Sequence, residues 1–159
     1  MDATKKPSGL DHPVVPRILK RVSRANVWIY RRTNGRVGGK WRVGAAFRKP
    51  VPVALLTHTG RKSGRALTSP LLYLPDGDRV IFVASQGGLP KNPQWYLNLR
   101  VTPEVLVQVR GDVRRMRART ASDAERAELW PRLVELYADF DTYQAWTDRV
   151  IPVVICEPA

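Results

Sequence analysis

Apolar side chains return at helical spacing from Pro13 to Arg32, at Ile18, Val22, Ala25, Trp28 and Ile29. A period near 3.6 predicts one amphipathic helix. Lys20, Arg21, Arg24, Arg31 and Arg32 fill its other positions, Pro13 and Pro16 suit its start, and Asn34-Gly35 suits its end. Residues 1–12 read as a frayed tail. Gly35 to Lys49 is basic and glycine-containing, with Trp41 and Phe47 as isolated anchors, and predicts a loop or linker. Beyond it the texture changes to short apolar, β-branched runs: Val51–Thr57, Leu67–Leu74, Arg79–Ala84, Val105–Arg110, Val113–Arg119 and Ile151–Cys156. Asp76-Gly77-Asp78 and Gly111-Asp112 sit where tight turns belong, which predicts two hairpins. Six such strands predict an antiparallel sheet that closes on itself. A short aromatic helix is expected over Asn92–Arg100. Ser122 followed by Glu125 is a capping box that opens another helical region, and Pro131 is expected to divide that region near Trp130. No internal repeat is visible.

Composition narrows the class. The 159 residues suit one domain, and 43% apolar content is ordinary for a folded chain. No run approaches 18 apolar residues, so no membrane-spanning helix is expected, and no apolar stretch of the secretory-signal type follows Lys5 and Lys6. A single cysteine, Cys156, excludes an internal disulfide. With only His12 and His58 beside it, it argues against a structural zinc site, and no metal is expected. A reducing, cytoplasmic setting is the default. The formal charge of +13 is uneven. Residues 1–50 hold 13 basic and 2 acidic side chains, residues 51–121 hold 11 and 4, and residues 122–159 hold 3 and 8. The first two-thirds therefore call for an anionic partner, or carry a solubilising excess.

Three constellations could carry chemistry. Thr57-His58-Thr59-Gly60-Arg61-Lys62-Ser63-Gly64-Arg65 follows an apolar strand. Its glycines let backbone N–H groups converge on an anion, and its arginines match phosphate or carboxylate oxygens. The alternative is a basic surface turn; a Walker A order is absent. Next come Ala84-Ser85-Gln86-Gly87-Gly88 and Lys91-Asn92-Pro93-Gln94-Trp95-Tyr96-Leu97-Asn98, a strand end and helix whose aromatics could stack on a flat ring or belong to the core. Third, Tyr137, Phe140 and Tyr143, with Trp146 a further three on, share one face at helical spacing, as core or as a ligand wall. No carboxylate is placed to orient His58, so a catalytic triad is unsupported. Cys156, in an apolar strand, is expected to be buried and inert. An anion loop with aromatic walls and no acid/base pair points to reactivity supplied by a cofactor.

These constellations, with Pro70-Leu71-Leu72-Tyr73, Val83-Ala84-Ser85, Trp146-Thr147-Asp148-Arg149 and Ile151-Pro152-Val153, resemble the deazaflavin-dependent nitroreductases, also described as F420H2-dependent quinone reductases. The resemblance covers roughly residues 50–158. It implies a mainly β fold with helices (α+β), a six-stranded antiparallel split β-barrel of the flavin-reductase/FMN-binding type behind an N-terminal helix. Residues 1–49 would form the basic tail and helix, and residues 50–159 the cofactor-binding barrel. The implied cofactor is coenzyme F420, a deazaflavin with a phosphate and an oligoglutamate tail, acting in its reduced form F420H2. Carried over by position, Arg61, Lys62 and Ser63 would hold phosphate and tail. Leu67, Thr68, Ser69, Pro70, Leu71 and Leu72 would line the deazaflavin, with Val83, Ala84, Ser85 and Gln86 on another side. Gln94, Trp95, Tyr96, Leu97 and Asn98 would complete the pocket, and Tyr137, Phe140 and Tyr143 would receive the substrate.

The chain departs from the family in places. Gln86 stands where members often have Lys, Phe140 where members can have Tyr, and the spacing leaves open whether Leu72 or Tyr73 faces the cofactor. The implied reaction is hydride transfer to a quinone, an activated alkene or a nitroaromatic, with Ser85 and Tyr143 as the catalytic candidates for polarising the acceptor or delivering a proton. The basic N-terminal helix, with Trp28 and Ile29, suits an anionic bilayer, which places the protein in the cytoplasm and at the inner face of the cell membrane. The rivals are an FMN-dependent oxidase of the same barrel type and a basic nucleic-acid-binding barrel. The second is disfavoured because the aromatics adjoin glycine loops and an acidic segment rather than a basic stripe, and no nucleic-acid partner is expected.

Overall fold

In the computed structural model, which describes residues 15–42, 46 and 49–159 (residues 15–19 as backbone only), the chain begins with α1 (Val15–Thr33) and β1 (Lys40–Trp41). The strands β2 (Val51–Thr59), β3 (Ala66–Asp76) and β4 (Arg79–Val83) follow. Then come α2 (Gln94–Val101), β5 (Glu104–Val109), β6 (Asp112–Thr120), α3 (Asp123–Leu136), α4 (Asp139–Ala145) and β7 (Val153–Pro158). The tail and Phe47 lie outside the described residues. Around the sheet β2 pairs with β3, then β4, β7, β6 and β5 follow, and β5 returns to β2; every pairing is antiparallel. The expected six-stranded closed barrel is therefore present. Among the described residues no helix is long and apolar enough to cross a membrane.

The sequence pattern follows from which strand faces are covered. On β4, Val80 and Phe82 point into the barrel while Ile81 and Val83 meet the outer helices. β7 does the same with Val154 and Cys156 inside and Val153 and Ile155 outside. Both faces are buried, so these strands read as unbroken apolar runs. β6 alternates instead, with Met116 and Ala118 buried and Arg115 and Arg117 exposed, because only its inner face is covered. On β2, Ala54 and Leu56 join the barrel core, whereas Val53 and Leu55 take Val27 and Tyr30 of α1. The Tyr30 hydroxyl, buried in that contact, donates to the Val53 carbonyl at 3.0 Å and accepts from Arg110 N–H at 2.8 Å. The helix ends as expected, with Asn34 and Gly35 at positive φ and Gly35 N–H bonded to the Tyr30 carbonyl.

Three expectations are corrected. The stretch Gly35–Lys49 is not wholly a loop, because Lys40 and Trp41 pair with Pro52 and Val51. The β2–β3 ladder begins only at Val53, so β2 projects two residues beyond it and its backbone groups need a partner. The second hairpin turns at Arg110-Gly111, one residue early, with Arg110 at φ 55. Finally, Pro131 does not divide the C-terminal helices. α3 runs through it, with the proline exposed and Leu129 and Leu133 anchoring the buried face. Losing one hydrogen bond on the solvent side is offset by that packing. The break falls at Tyr137, whose backbone is extended. The expected capping box is present: Ser122 Oγ accepts from Glu125 N–H at 3.2 Å, and Glu125 returns a carboxylate oxygen to Ser122 N–H at 2.8 Å.

Candidate active site

Two cavities meet at Trp95, which lines both. The first, of about 720 Å³, is basic. The loop after β2 supplies Gly60, Arg61, Lys62 and Ser63, the start of β3 supplies Leu67, Thr68 and Ser69, and α2 supplies Gln94 and Asn98. α1 adds Lys20, Ser23 and Arg24. No carboxylate lines this cavity among the described residues. The loop is closed by Gly60 N–H to the Arg65 carbonyl and Gly64 N–H to the Gly60 carbonyl, both at 2.8 Å. Ser63 Oγ accepts from Arg65 N–H at 3.2 Å. A Cβ on Gly60 would lie 2.6 Å from Ser63 Oγ, so a larger residue there would displace the Ser63 hydroxyl from Arg65 N–H.

Beneath the loop lies a buried polar chain. Asn98 Oδ1 accepts from Arg61 N–H at 3.1 Å and from its guanidinium at 2.9 Å. Asn98 Nδ2 meets His58 Nδ1 at 3.1 Å, and His58 Nε2 meets Ser69 Oγ at 3.1 Å. Burial lowers the His58 pKa to about 4, so the ring is neutral near pH 7. The sequence pattern shows His58 only as an unsupported triad member; its alternation inward on β2, opposite the loop, is the signal that locates it. A histidine held neutral contributes stability that is complete above its ordinary pKa near 6.5 and is lost as pH falls toward about 4. His58→Gln is expected to flatten the fall in denaturation midpoint between pH 6.5 and 4 relative to the parent protein. An unchanged slope would exclude His58 as its source.

The second cavity, of about 600 Å³, is apolar. Pro70, Leu71, Leu72, Val83 and Trp95 form one side, Ser85, Gln86 and Gly87 another, and Tyr137, Phe140 and Tyr143 a third. Leu72 lines it, whereas Tyr73 lines a separate basic cleft beside Arg36 and Arg110. Asn26 and Lys40, which sequence reasoning assigned to helix and loop without a role, complete the lining together with Trp41, expected there only as an isolated anchor. The aromatic residues do not lie along one helix: Tyr137 sits in the break before α4, 5.1 Å from Phe140 and 6.2 Å from Tyr143 between ring centroids. Its hydroxyl is 3.2 Å from that of Tyr143, and burial raises its pKa. Tyr137 and Phe140 are each 4% exposed, so they pack in the core and also line the cavity.

The Ser85–Gly88 turn is the unusual piece of backbone. Gln86, Gly87 and Gly88 have successive positive φ of 45°, 61° and 73°. Arg149 holds the turn in place, donating to the carbonyls of Ala84 at 3.2 Å, Ser85 at 2.7 Å and Leu89 at 3.0 Å, and to Asn92 Oδ1 at 2.8 Å. Gly88 lies against α4, where a Cβ would come 2.8 Å from the Tyr143 carbonyl oxygen. Gly88→Ala is therefore expected to cost about 1–3 kcal/mol, from left-handed backbone strain and this collision. A denaturant titration with an unchanged midpoint would refute it.

Ala84, Tyr96 and Leu97 line neither cavity. Ala84 and Tyr96 are buried in the barrel core, with Tyr96 Oη 2.9 Å from Thr120 Oγ1, and Leu97 packs against that core. Cys156 is wholly buried and its thiol is pushed up to about 12, which leaves no thiolate for chemistry.

Comparison with known proteins agrees with this geometry. The family described as F420H(2)-dependent quinone reductase matches residues 22–158, so the match begins inside α1. Rv3178 of Mycobacterium tuberculosis, provisionally named an F420H(2)-dependent quinone reductase, is 55% identical over 117 residues, which span 74% of this chain and 98% of that protein. The F420H(2)-dependent quinone reductase Rv1261c of the same organism is 40% identical over 131 residues, 80% of this chain and 83% of that one. A solved F420-H2 dependent reductase, FDR-A, superposes with a TM-score of 0.63 at 41% identity, covering 67% of this chain and 94% of its own. The barrel is thus a shared architecture, and the chain belongs to the F420H(2)-dependent quinone reductase family.

Proposed function

We propose that this F420H2-dependent reductase passes two electrons to a quinone, with nitroaromatics and activated alkenes as further acceptors. The observation that carries the reading is the junction of the two cavities at Trp95: a basic chamber lined by no carboxylate among the described residues, beside an apolar one, fits a ligand with an anionic tail and a planar ring. Arg61, Lys62 and Ser63 would hold the phosphate and glutamate tail, and Lys20 and Arg24 of α1 line the same cavity. Leu71, Leu72, Val83 and Trp95 would flank the ring. When bound, reduced F420 supplies the hydride. Ser85 and Tyr143 share the apolar cavity and would polarise an acceptor oxygen or deliver its proton, and the Tyr137 hydroxyl, 3.2 Å from that of Tyr143, would orient it. Phe140 gives the same wall no hydroxyl of its own, leaving a dry surface suited to a lipophilic ring.

The test is an F420H2 oxidation assay run in parallel with menadione, a nitroaromatic and a cyclic enone, together with tryptophan quenching by F420. Turnover with menadione is expected. No oxidation with any acceptor and no quenching at micromolar F420 would overturn the reading.

The outward face of α1 supports contact with an anionic bilayer, where such acceptors reside. Trp28 is 66% exposed, and Arg21 and Arg32, on the same side of α1 by helical spacing, are exposed with it. The protein is expected to sediment with phosphatidylserine vesicles at low salt, and a Trp28→Ala, Arg21→Glu, Arg32→Glu variant to remain in the supernatant. Equal sedimentation of the two would remove α1 from any such contact.

A further inference from the structure

We propose that Asn98 and His58 are positioning residues that hold Arg61 ready for the anionic end of the cofactor, so that preference for a tailed deazaflavin is set from beneath the glycine loop. The inference rests on the cofactor reading above. Arg61 lies on a surface loop and has a long side chain whose rotamer entropy ligand binding would otherwise have to overcome. One acceptor atom, Asn98 Oδ1, takes hydrogen bonds from both ends of that residue, the backbone N–H at 3.1 Å and the guanidinium at 2.9 Å. Loop and side chain are thereby fixed together. The recorded bond engages one guanidinium nitrogen, Nη1, and a guanidinium has five N–H donors, so most remain for a ligand.

The orientation of the Asn98 amide is itself determined. Oδ1 faces two donors on Arg61, so Nδ2 must face His58 Nδ1, 3.1 Å away. His58 therefore accepts at Nδ1, carries its proton on Nε2, and donates to Ser69 Oγ at 3.1 Å. Turning the amide over would set donor against donor at Arg61 and lone pair against lone pair at His58. Asn98 is 3% exposed and His58 4%, so no bulk water is at hand to repair such a mismatch. Ser69 also lines the basic cavity, so the chain of contacts starts and ends on its wall. An uncharged amide at position 98 has a second consequence: it orients Arg61 without cancelling the charge that an anion needs.

The experiment compares dissociation constants, by tryptophan quenching on the full-length protein, for F420 and for the same deazaflavin lacking phosphate and glutamates. Asn98→Ala is expected to weaken F420 about 10-fold and the tailless ring less than 2-fold, since the ligand must then order the freed Arg61 itself. Asn98→Asp keeps an acceptor but neutralises Arg61, so F420 is expected to weaken at least as much and the tailless ring again little. If Asn98→Ala does not fold, Asn98→Asp carries the test. Combining Asn98→Ala with Arg61→Ala is expected to add nothing to Arg61→Ala alone. A purely structural role would instead weaken both ligands equally or add fully in the double variant, and either result overturns the inference, as does an Asn98→Ala protein that binds F420 like the parent. Failure of the parent protein to bind F420 at all sinks the cofactor reading instead.

Discussion

Arg61→Ala is expected to weaken F420 binding by about 10- to 100-fold while leaving the tailless deazaflavin bound as before. Arg61 lines the basic cavity and is held there by Asn98. A guanidinium contacting phosphate or carboxylate forms charge-assisted hydrogen bonds worth about 1.5–3 kcal/mol. Alanine removes the fork and its charge together, and Lys62 cannot reproduce a bidentate geometry with a single ammonium. Arg61→Lys should therefore recover only part of the affinity. The residual binding should also depend less on ionic strength, because one cation fewer meets the tail. Equal affinities of parent and Arg61→Ala for F420 would remove this loop from the cofactor site.

Phe82→Ala is expected to cost about 3–5 kcal/mol of folding stability, the usual range for emptying a large aromatic site in a core. Phe82 has no exposure at all and packs edge-on to Trp95, with ring centroids 6.3 Å apart. Its strand is paired on both sides, opposite Tyr73 on β3 and Val154 on β7, so the backbone has little freedom to close the void. Domains of this size hold about 5–15 kcal/mol in all, so the variant should unfold at markedly lower denaturant. The loss should also reach function. Trp95 rests on Phe82 and forms the junction of the two cavities, so quenching by F420 should weaken even at denaturant-free conditions. A midpoint within error of the parent would mean that this region is not packed as described.

Several features were legible in the chain because they rest on short-range physics. The amphipathic run ending at Asn34-Gly35, the Ser122–Glu125 capping box and the six apolar strands all appear where local pattern places them. The Gly60–Gly64 loop was equally visible, since its glycines and cations are contiguous. What misled was also local. Pro131 signals a helix stop, but the buried contacts of Leu129 and Leu133 carry α3 through it. The three-residue spacing of Tyr137, Phe140 and Tyr143 suggests one helix face, yet the rings converge across a break.

By itself the sequence determined the kind of molecule: a closed β-barrel with a basic glycine loop, a set of aromatic residues near its C-terminal end and a resemblance that named the cofactor. Tertiary structure alone decided which groups meet. His58, Asn98 and Arg61 are separated by up to 40 positions and form one hydrogen-bonded chain. Arg149 closes on a turn more than 55 residues before it. α1, which reads as a separable basic helix, supplies walls to both cavities. Periodicity and turn chemistry depend on neighbours in the chain, so one sequence displays them. Hydrogen bonds of a few ångströms between distant residues depend on barrel register, and register is settled only when every strand has packed against the next.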